Sequence, residues 1–379
     1  MGDGQGSLVS LLARGPQDSF MTGDEGLMPE HRQYTDFSID QQTYTFGTAP
    51  YLGTRQVFSL TPKQIPGDLL IGAYLKVKMP SANYMDQLGR GLTKRVSMQL
   101  DAVEVETLYD DGYVIRDQLT LTADEQSLMS NIMNGTSLYI PLEFSWCRRG
   151  KPFPICAAWN QTMYIFFDFA AMYEVSDATA GDLLSPPQLV LETVTLTDTE
   201  RNSFRSGHTM EVHCMYREPL YFVNNQLTNV NMTANFNVTH MTWFLRKKLN
   251  LGDPTYYLKR FDFTYDTTTN VALVNLDIFE YIYIFINNQN ITSRFPGKLF
   301  YRYLQPMLNG YNTPNKDIYM YGFGQGLNFS RVDSNTSTLN IKFLSQYVQD
   351  VILNYTLNLY YFGTQKISFS GGYCSLIGV

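Results

Sequence analysis

Histidines, cysteines and closely spaced glutamates are the side chains of this sequence whose types could do chemistry. The stretch HTMEVHCMY carries His208, His213 and Cys214, a set that invites a metal-site reading. Strand alternation argues against it: His213 and Cys214 face opposite ways, and His208, on the Cys214 side, lies ~20 Å away along the strand. Ordinary strand residues are the better reading, and no metal is expected. Glu104 and Glu106 would share one strand face about 7 Å apart, a separation that a glycosidase carboxylate pair could use. Two neighbouring strand glutamates without a cleft ordinarily face water, so the solvated reading is preferred. No G-x-S-x-G elbow, phosphate-binding loop or H-E-x-x-H pair is present. Gly322, Gly324 and Gly326 lack the spacing and the following helix of a dinucleotide loop. The chain reads as a non-enzyme with no cofactor.

Charge narrows the partners. A net charge of −7 with only 17% charged residues argues against direct nucleic-acid binding, which needs clustered Lys and Arg to displace counterions from phosphates. Two short basic clusters, Arg148-Arg149-Lys151 and Arg246-Lys247-Lys248, could meet acidic patches or lipid head groups, with solvated turns the favoured reading. Cys147, Cys156, Cys214 and Cys374 form no C-x-x-C pair and suit a reducing compartment. The start MGDGQGSLVSLLARG has neither a basic n-region nor the serine placement of a myristoylation signal. No apolar run approaches a membrane span. Sequons at Asn134, Asn290, Asn328 and Asn335 are candidate glycosylation sites, although an Asn- and Thr-rich chain produces such triplets by chance.

The elements that must position these residues are strands. Aromatics make up 14% of the chain, with 27 Tyr and 24 Phe, and low charge with many aromatics favours a β-rich protein partly covered by neighbours. Arg55–Pro80 alternates around Pro66-Gly67-Asp68 and predicts a hairpin. Residues 98–115 predict a second, with Asp111-Gly112 at its tight turn. Helix formers over 116–133, with Thr122 and Glu125 as a capping box, predict a helix. Residues 7–13 could form one or two helical turns. The run Ser185-Pro186-Pro187 breaks any ladder and marks the linker. From Leu304 to Asp333 two strands are expected to meet at a tight loop, with Gly322, Gly324 and Gly326 admitting a close backbone approach.

These pieces, in this order, resemble the major capsid proteins of nucleocytoplasmic large DNA viruses. Gln17, Asp18, Thr22 and Gly23, then Arg32, Thr35 and Phe37, match the family's opening turn and strand, where a short basal helix comes first. Asp24-Glu25-Gly26 departs from it. Gly67-Asp68-Leu69 matches its G-D-L turn, and Pro141, Leu142, Phe144, Cys147, Arg148, Gly150, Pro154 and Ala157 match a P-L-x-F-x-x-C-R element. Trp159-Asn160-Gln161 stands where relatives usually carry Tyr-His-Glu. Asp198, Glu200, Arg201 and Phe204 resemble what the family places at the first strand of its second barrel. Asn235, Phe236, Asn237 and Trp243 match a later strand, and Gln305-Pro306 with Asn328-Phe329-Ser330-Arg331-Val332-Asp333 the corner after it.

The resemblance implies an all-β double jelly roll: two tandem antiparallel eight-stranded rolls with a few short helices, residues 1–185 and 186–379. It implies a homotrimeric, pseudo-hexagonal capsomer that tiles an icosahedral shell over an internal membrane and a double-stranded DNA genome. Minor capsid and penton proteins would be partners, and the product a virion assembled in host cytoplasm. Arg148, Pro154, Trp243, Gln305, Pro306, Phe329, Arg331 and Asp333 become candidates for fold and subunit contact. The alternatives are a minor capsid paralogue or transient scaffold of the same fold, a carbohydrate-binding β-sandwich, or a sandwich hydrolase with its cleft at Glu104 and Glu106.

Overall fold

The computed structural model describes residues 37–45, 48–132, 135–147, 151–219, 221–248, 255–263, 265 and 277–377. The expected N-terminal helix, the matches at Gln17, Asp18, Thr22, Gly23, Arg32 and Thr35, and Asn134, Arg148 and Gly150 lie outside them.

Eight strands come first: β1 (Ser38–Thr45), β2 (Arg55–Leu60), β3 (Leu69–Lys78), β4 (Thr93–Leu100), β5 (Val103–Tyr109), β6 (Ser137–Pro141), β7 (Met163–Phe169) and β8 (Gln188–Thr195). They form two four-stranded antiparallel sheets, ordered β1-β8-β3-β6 and β2-β7-β4-β5. This is a jelly roll. The second half supplies β9 (His208–Arg217), β10 (Tyr221–Phe222), β11 (Leu227–Asn231), β12 (Asn237–Lys247), β13 (Phe279–Ile286), β14 (Gln289–Asn290), β15 (Tyr319–Asn328), β16 (Thr338–Phe343), β17 (Tyr355–Ser370) and β18 (Tyr373–Leu376). One sheet runs β10-β17-β12-β15, with β9 also on β17 and β18 added to β17; the other runs β11-β16-β13-β14. With β9 and β10 taken as one interrupted first strand, the second half repeats the strand order of the first. The plan is therefore used twice, although no sequence repeat is visible.

Several expectations about boundaries and turns need correction. Gln188–Thr195 pairs with β1 and β3, so the strand after the double proline closes the first roll, and a division at 185/186 falls one strand too early. The prolines break the ladder ahead of this strand rather than between the rolls. Arg55–Pro80 is not a hairpin: β2 and β3 belong to opposite sheets, and Pro66-Gly67-Asp68 carries the chain between them. A Cβ on Gly67 would collide with Thr193 of β8, so this turn is set by packing on the next sheet. The β4–β5 hairpin turns at Asp101-Ala102, with Asp101 at φ 48°, whereas Asp111-Gly112 opens the helix Asp110–Thr120. A second helix, Ala123–Ile132, carries the expected capping box: Thr122 N donates to Glu125 Oε2 at 2.8 Å and Glu125 N to Thr122 Oγ1 at 3.4 Å.

Leu304–Asp333 also differs from two strands at a loop. Gly297–Leu304 winds as a π-type helix, Gln305–Leu308 continues it as a short α-helix, and β15 is followed by a 3-10 turn at Phe329–Arg331. Gly322 and Gly326 do admit a close approach, since a Cβ on them would strike the Asn309 and Asn237 side chains, whereas a Cβ on Gly324 would meet nothing within 4 Å.

Burial patterns show how the rolls sit. β7 alternates strictly between buried and half-buried positions, as a strand with one covered face should. β12 and β17 instead carry long unbroken buried runs, so both their faces are covered. Met241, Trp243, Leu245, Leu357, Leu359 and Tyr361 point into the second roll's core, while Phe244 and Tyr360 join the core cluster of the first. This doubly covered sheet forms the seam between the rolls.

Candidate functional site

The seam is built around the first turn of the helix Asp110–Thr120. Asp110 and Asp111 belong to the first roll and are buried, and their partners come from the second. Arg260 donates to Asp110 Oδ2 at 2.7 Å, and these side chains are only 4% and 5% exposed. Arg246 on β12 pairs with Asp111, whose other oxygen accepts from the Tyr360 hydroxyl at 2.8 Å. Acidic groups at a helix N-terminus are favoured by its dipole, and buried charges persist only when paired in this way. Deeper in the first roll, Arg90 bonds Asp117 and Glu143, and Arg116 pairs with Glu143 as well. The far end of the helix is tied by backbone contacts: Asn312 N donates to Leu119 O at 2.7 Å, and Asn315 N to Gln118 Oε1 at 3.0 Å.

Packing and charge reinforce each other here. Gly112 is helical, and a Cβ on it would overlap the Met215 thioether of β9, so this glycine sets how closely the rolls approach. Tyr109 meets Tyr360 edge to face at 6.0 Å, and Phe153 meets Phe369 at 5.5 Å. A further clamp joins residues matched separately in the sequence: Arg201, on the helix Asp198–Ser206, grips Asp68 through Nε at 2.6 Å and a second nitrogen at 2.9 Å. Asn160 and Gln161 hold the β17–β18 turn, Gln161 Oε1 accepting from Cys374 N at 2.6 Å.

The segment Gly297–Leu308 is two-faced. Tyr301, Arg302, Gln305 and Pro306 are buried; Tyr301 donates to Ile282 O at 3.1 Å, and Gln305 Oε1 accepts from Gly322 N at 3.2 Å. Its other face presents Leu299, Tyr303, Leu304, Met307 and Leu308 to solvent, the last two 65% and 74% exposed. Apolar side chains gathered in this way make this face a candidate contact surface.

The structure divides the residues singled out from sequence rather than gathering them. Pro154 is buried ahead of the turn Ile155–Ala158. Trp243 is the centre of the second core, edge-on to Tyr301 at 5.2 Å and stacked with Tyr319 at 6.3 Å. Phe329 packs on Phe323 and Tyr361. Gln305 and Pro306 lie under the exposed apolar face. Arg331 and Asp333 are exposed, Asp333 accepting from Asn335 N within its own turn at 3.0 Å. Asn290 and Asn335 are exposed, and Asn328 caps the Phe329–Arg331 turn by accepting from Ser330 N.

The glutamate pair is also separated. Val105 is an extra residue in β5, opposite the step from Met98 to Gln99, and this bulge sends Glu104 to solvent and Glu106 inward. Glu106 accepts from Ser145 N and Oγ, so the expected solvated pair is one surface and one buried carboxylate. His208 lies against Phe204 and Phe369, and the four cysteines are free thiols. Burial pushes the Cys147 and Cys214 thiols up to about 12, which leaves them protonated. Sequence reasoning missed Asp110, Arg260 and Tyr360 altogether, read Asp111 as a hairpin turn residue and weighed Arg246 as part of a solvated turn.

Comparison with known proteins places this geometry in context. Residues 205–359 match the family model described as large eukaryotic DNA virus major capsid protein. The chain is 26% identical over 200 residues to "Probable capsid protein 4" of Acanthamoeba polyphaga mimivirus, covering 45% of this chain and 38% of that one. It is 20% identical over 311 residues to the "Major capsid protein" of Phaeocystis pouchetii virus, covering 65% and 59%. The chain thus aligns with between roughly a third and three-fifths of these relatives' lengths. Among solved structures, PBCV-1 VP54 superposes with a TM-score of 0.74 at 16% identity, covering 93% of this chain and 99% of that one. The Faustovirus major capsid protein superposes with 0.68 at 9% identity, covering 90% and 92%. The fold is that of the double jelly-roll capsid proteins, and the sequence resemblance is to the major capsid proteins of large eukaryotic DNA viruses.

Proposed function

We propose that this chain is a shell-forming subunit of a large DNA virus, three copies joining into a capsomer of pseudo-hexagonal outline. The carrying observation is the doubled plan: two rolls with one strand order, held side by side by a buried ionic and aromatic seam. A trimer of such a unit presents six rolls around its axis, which tile an icosahedral shell enclosing an internal membrane and a DNA genome. The work is done by burial and geometry, with no bond made or broken. The names and folds of the similar proteins support the reading. Minor capsid and penton proteins are the other partners, and assembly takes place in the host cytoplasm.

A permanent trimer should bury roughly 2,000 Å² or more per interface, with an apolar centre. We assign part of that centre to the exposed face of Gly297–Leu308, and Arg331 and Asp333 to polar contacts between subunits. Light scattering on the purified chain tests the proposal. A stable mass of three times 43.4 kDa is expected. A strict monomer at micromolar concentration would overturn the self-assembling capsomer.

A further inference from the structure

Between the rolls, beside the ionic contacts, lies a cavity of about 450 Å³. Both rolls line it, the first through β5 and the helix Asp110–Thr120, the second through β9, β12 and β17. Its size and makeup are those of sites that take small organic molecules: a mostly apolar wall with a few convergent polar groups. The apolar part includes Met215 and Phe362, and Gly324 leaves the wall open where a Cβ would have nothing within 4 Å.

The charges define what could enter. Glu106, Glu143 and His213 line the cavity, and Arg116, which lines it too, is paired with Glu143 and lies over the Tyr113 ring. His240 is stacked on Phe362, and burial keeps its ring neutral. An anion entering here would meet two carboxylates, the His213 imidazole and a guanidinium already paired with one of the carboxylates. A neutral or cationic molecule meets apolar walls and acceptor oxygens.

We propose that the cavity between the rolls is a binding site for a small amphiphile with an apolar body and an uncharged or cationic head. Such a ligand bridges both rolls and stabilises their mutual placement in proportion to its occupancy. The site does not depend on the trimer, because each chain contains the whole cavity.

The test uses two dyes with one ring skeleton, neutral N-phenyl-1-naphthylamine and its anionic sulfonate analogue 1-anilinonaphthalene-8-sulfonate. The neutral dye should give a saturable fluorescence increase at one site per chain, at least about tenfold tighter than the sulfonate. Thr364→Trp on β17 and Thr120→Trp on the opposite wall each place an indole in the space, and either should weaken the neutral dye by about tenfold or more. Light scattering on the same samples reports the oligomer separately, so a monomer that still binds the dye overturns the capsomer and leaves the cavity site standing. Non-saturable binding, equal affinity for the two dyes, or undiminished binding in a folded filling variant would overturn the site. The dye comparison on the unaltered chain decides even if both variants fail to fold.

Discussion

Among the described residues, His240 is the histidine that burial holds furthest below its ordinary pKa. Its ring stacks on Phe362 at 4.8 Å, and Nδ1 lies 3.2 Å from Thr239 Oγ1 and 3.3 Å from the Tyr311 hydroxyl. Burial holds its pKa down to about 3, well below the ordinary 6.5, because the charged imidazolium loses its hydration there. The folded chain therefore refuses a proton that the unfolded chain accepts. Stability is fully present above pH 6.5 and declines as pH falls from 6.5 towards 3, by up to about 1.4 kcal/mol per pH unit for this one group. Urea midpoints measured across that window should fall more steeply for the parent chain than for His240→Phe; parallel profiles would show that the ring takes up a proton in place. Nothing around position 240 in the sequence announces this, since Tyr311 and Phe362 reach it only through the fold. Asp68 and Arg201 are the contrasting case. Both stood out in the sequence as separate matches, and the structure supplies the reason by joining them across the first roll's edge.

At the scale of elements, the exposed helical segment Gly297–Leu308 has a buried polar underside and an apolar outer face, the reverse of what water alone would favour. Replacing Leu308, already 74% exposed, by Glu removes little from the monomer, and its effect on monomer stability should stay within about 0.5 kcal/mol. If the proposed trimer buries this face, it should dissociate, because the carboxylate would have to be buried at the interface. Light scattering and thermal unfolding on one sample read both effects, and an intact trimer would remove this segment from the contact. Much of the strand inventory was readable from alternation and turn chemistry, as was the capping box at Thr122 and Glu125. Sheet membership was not. Pro66-Gly67-Asp68 and Asp101-Ala102 are both short turns, yet one crosses between sheets and the other closes a hairpin. What separates them is the packing on Thr193 and the strand partners, neither of which is local in sequence.

For the whole molecule, the seam decides whether two rolls act as one rigid unit. Asp111→Ala should cost about 3–5 kcal/mol, since it leaves Arg246 without its carboxylate in a site where water cannot fully replace it. Denaturant unfolding should show a lowered midpoint. A change of under about 1 kcal/mol would mean that solvent reaches Arg246 and that this ion pair contributes little to holding the seam. The sequence by itself determined the class: low charge, abundant aromatics and period-two alternation indicate an all-β protein, because alternation and turn residues act over a few neighbours, and the ordered series of family matches implied two rolls. It also pointed to the polypeptide that such rolls resemble. Only the tertiary structure decided that the strand after the double proline belongs to the first roll, that Asp110 and Asp111 face Arg260 and Arg246, and that Glu106 turns inward. The seam's ion pairs join residues 135 and 150 positions apart, where burial makes a charge costly unless its partner arrives from the other roll, and the other two outcomes likewise rest on strand pairing and packing that no local pattern encodes.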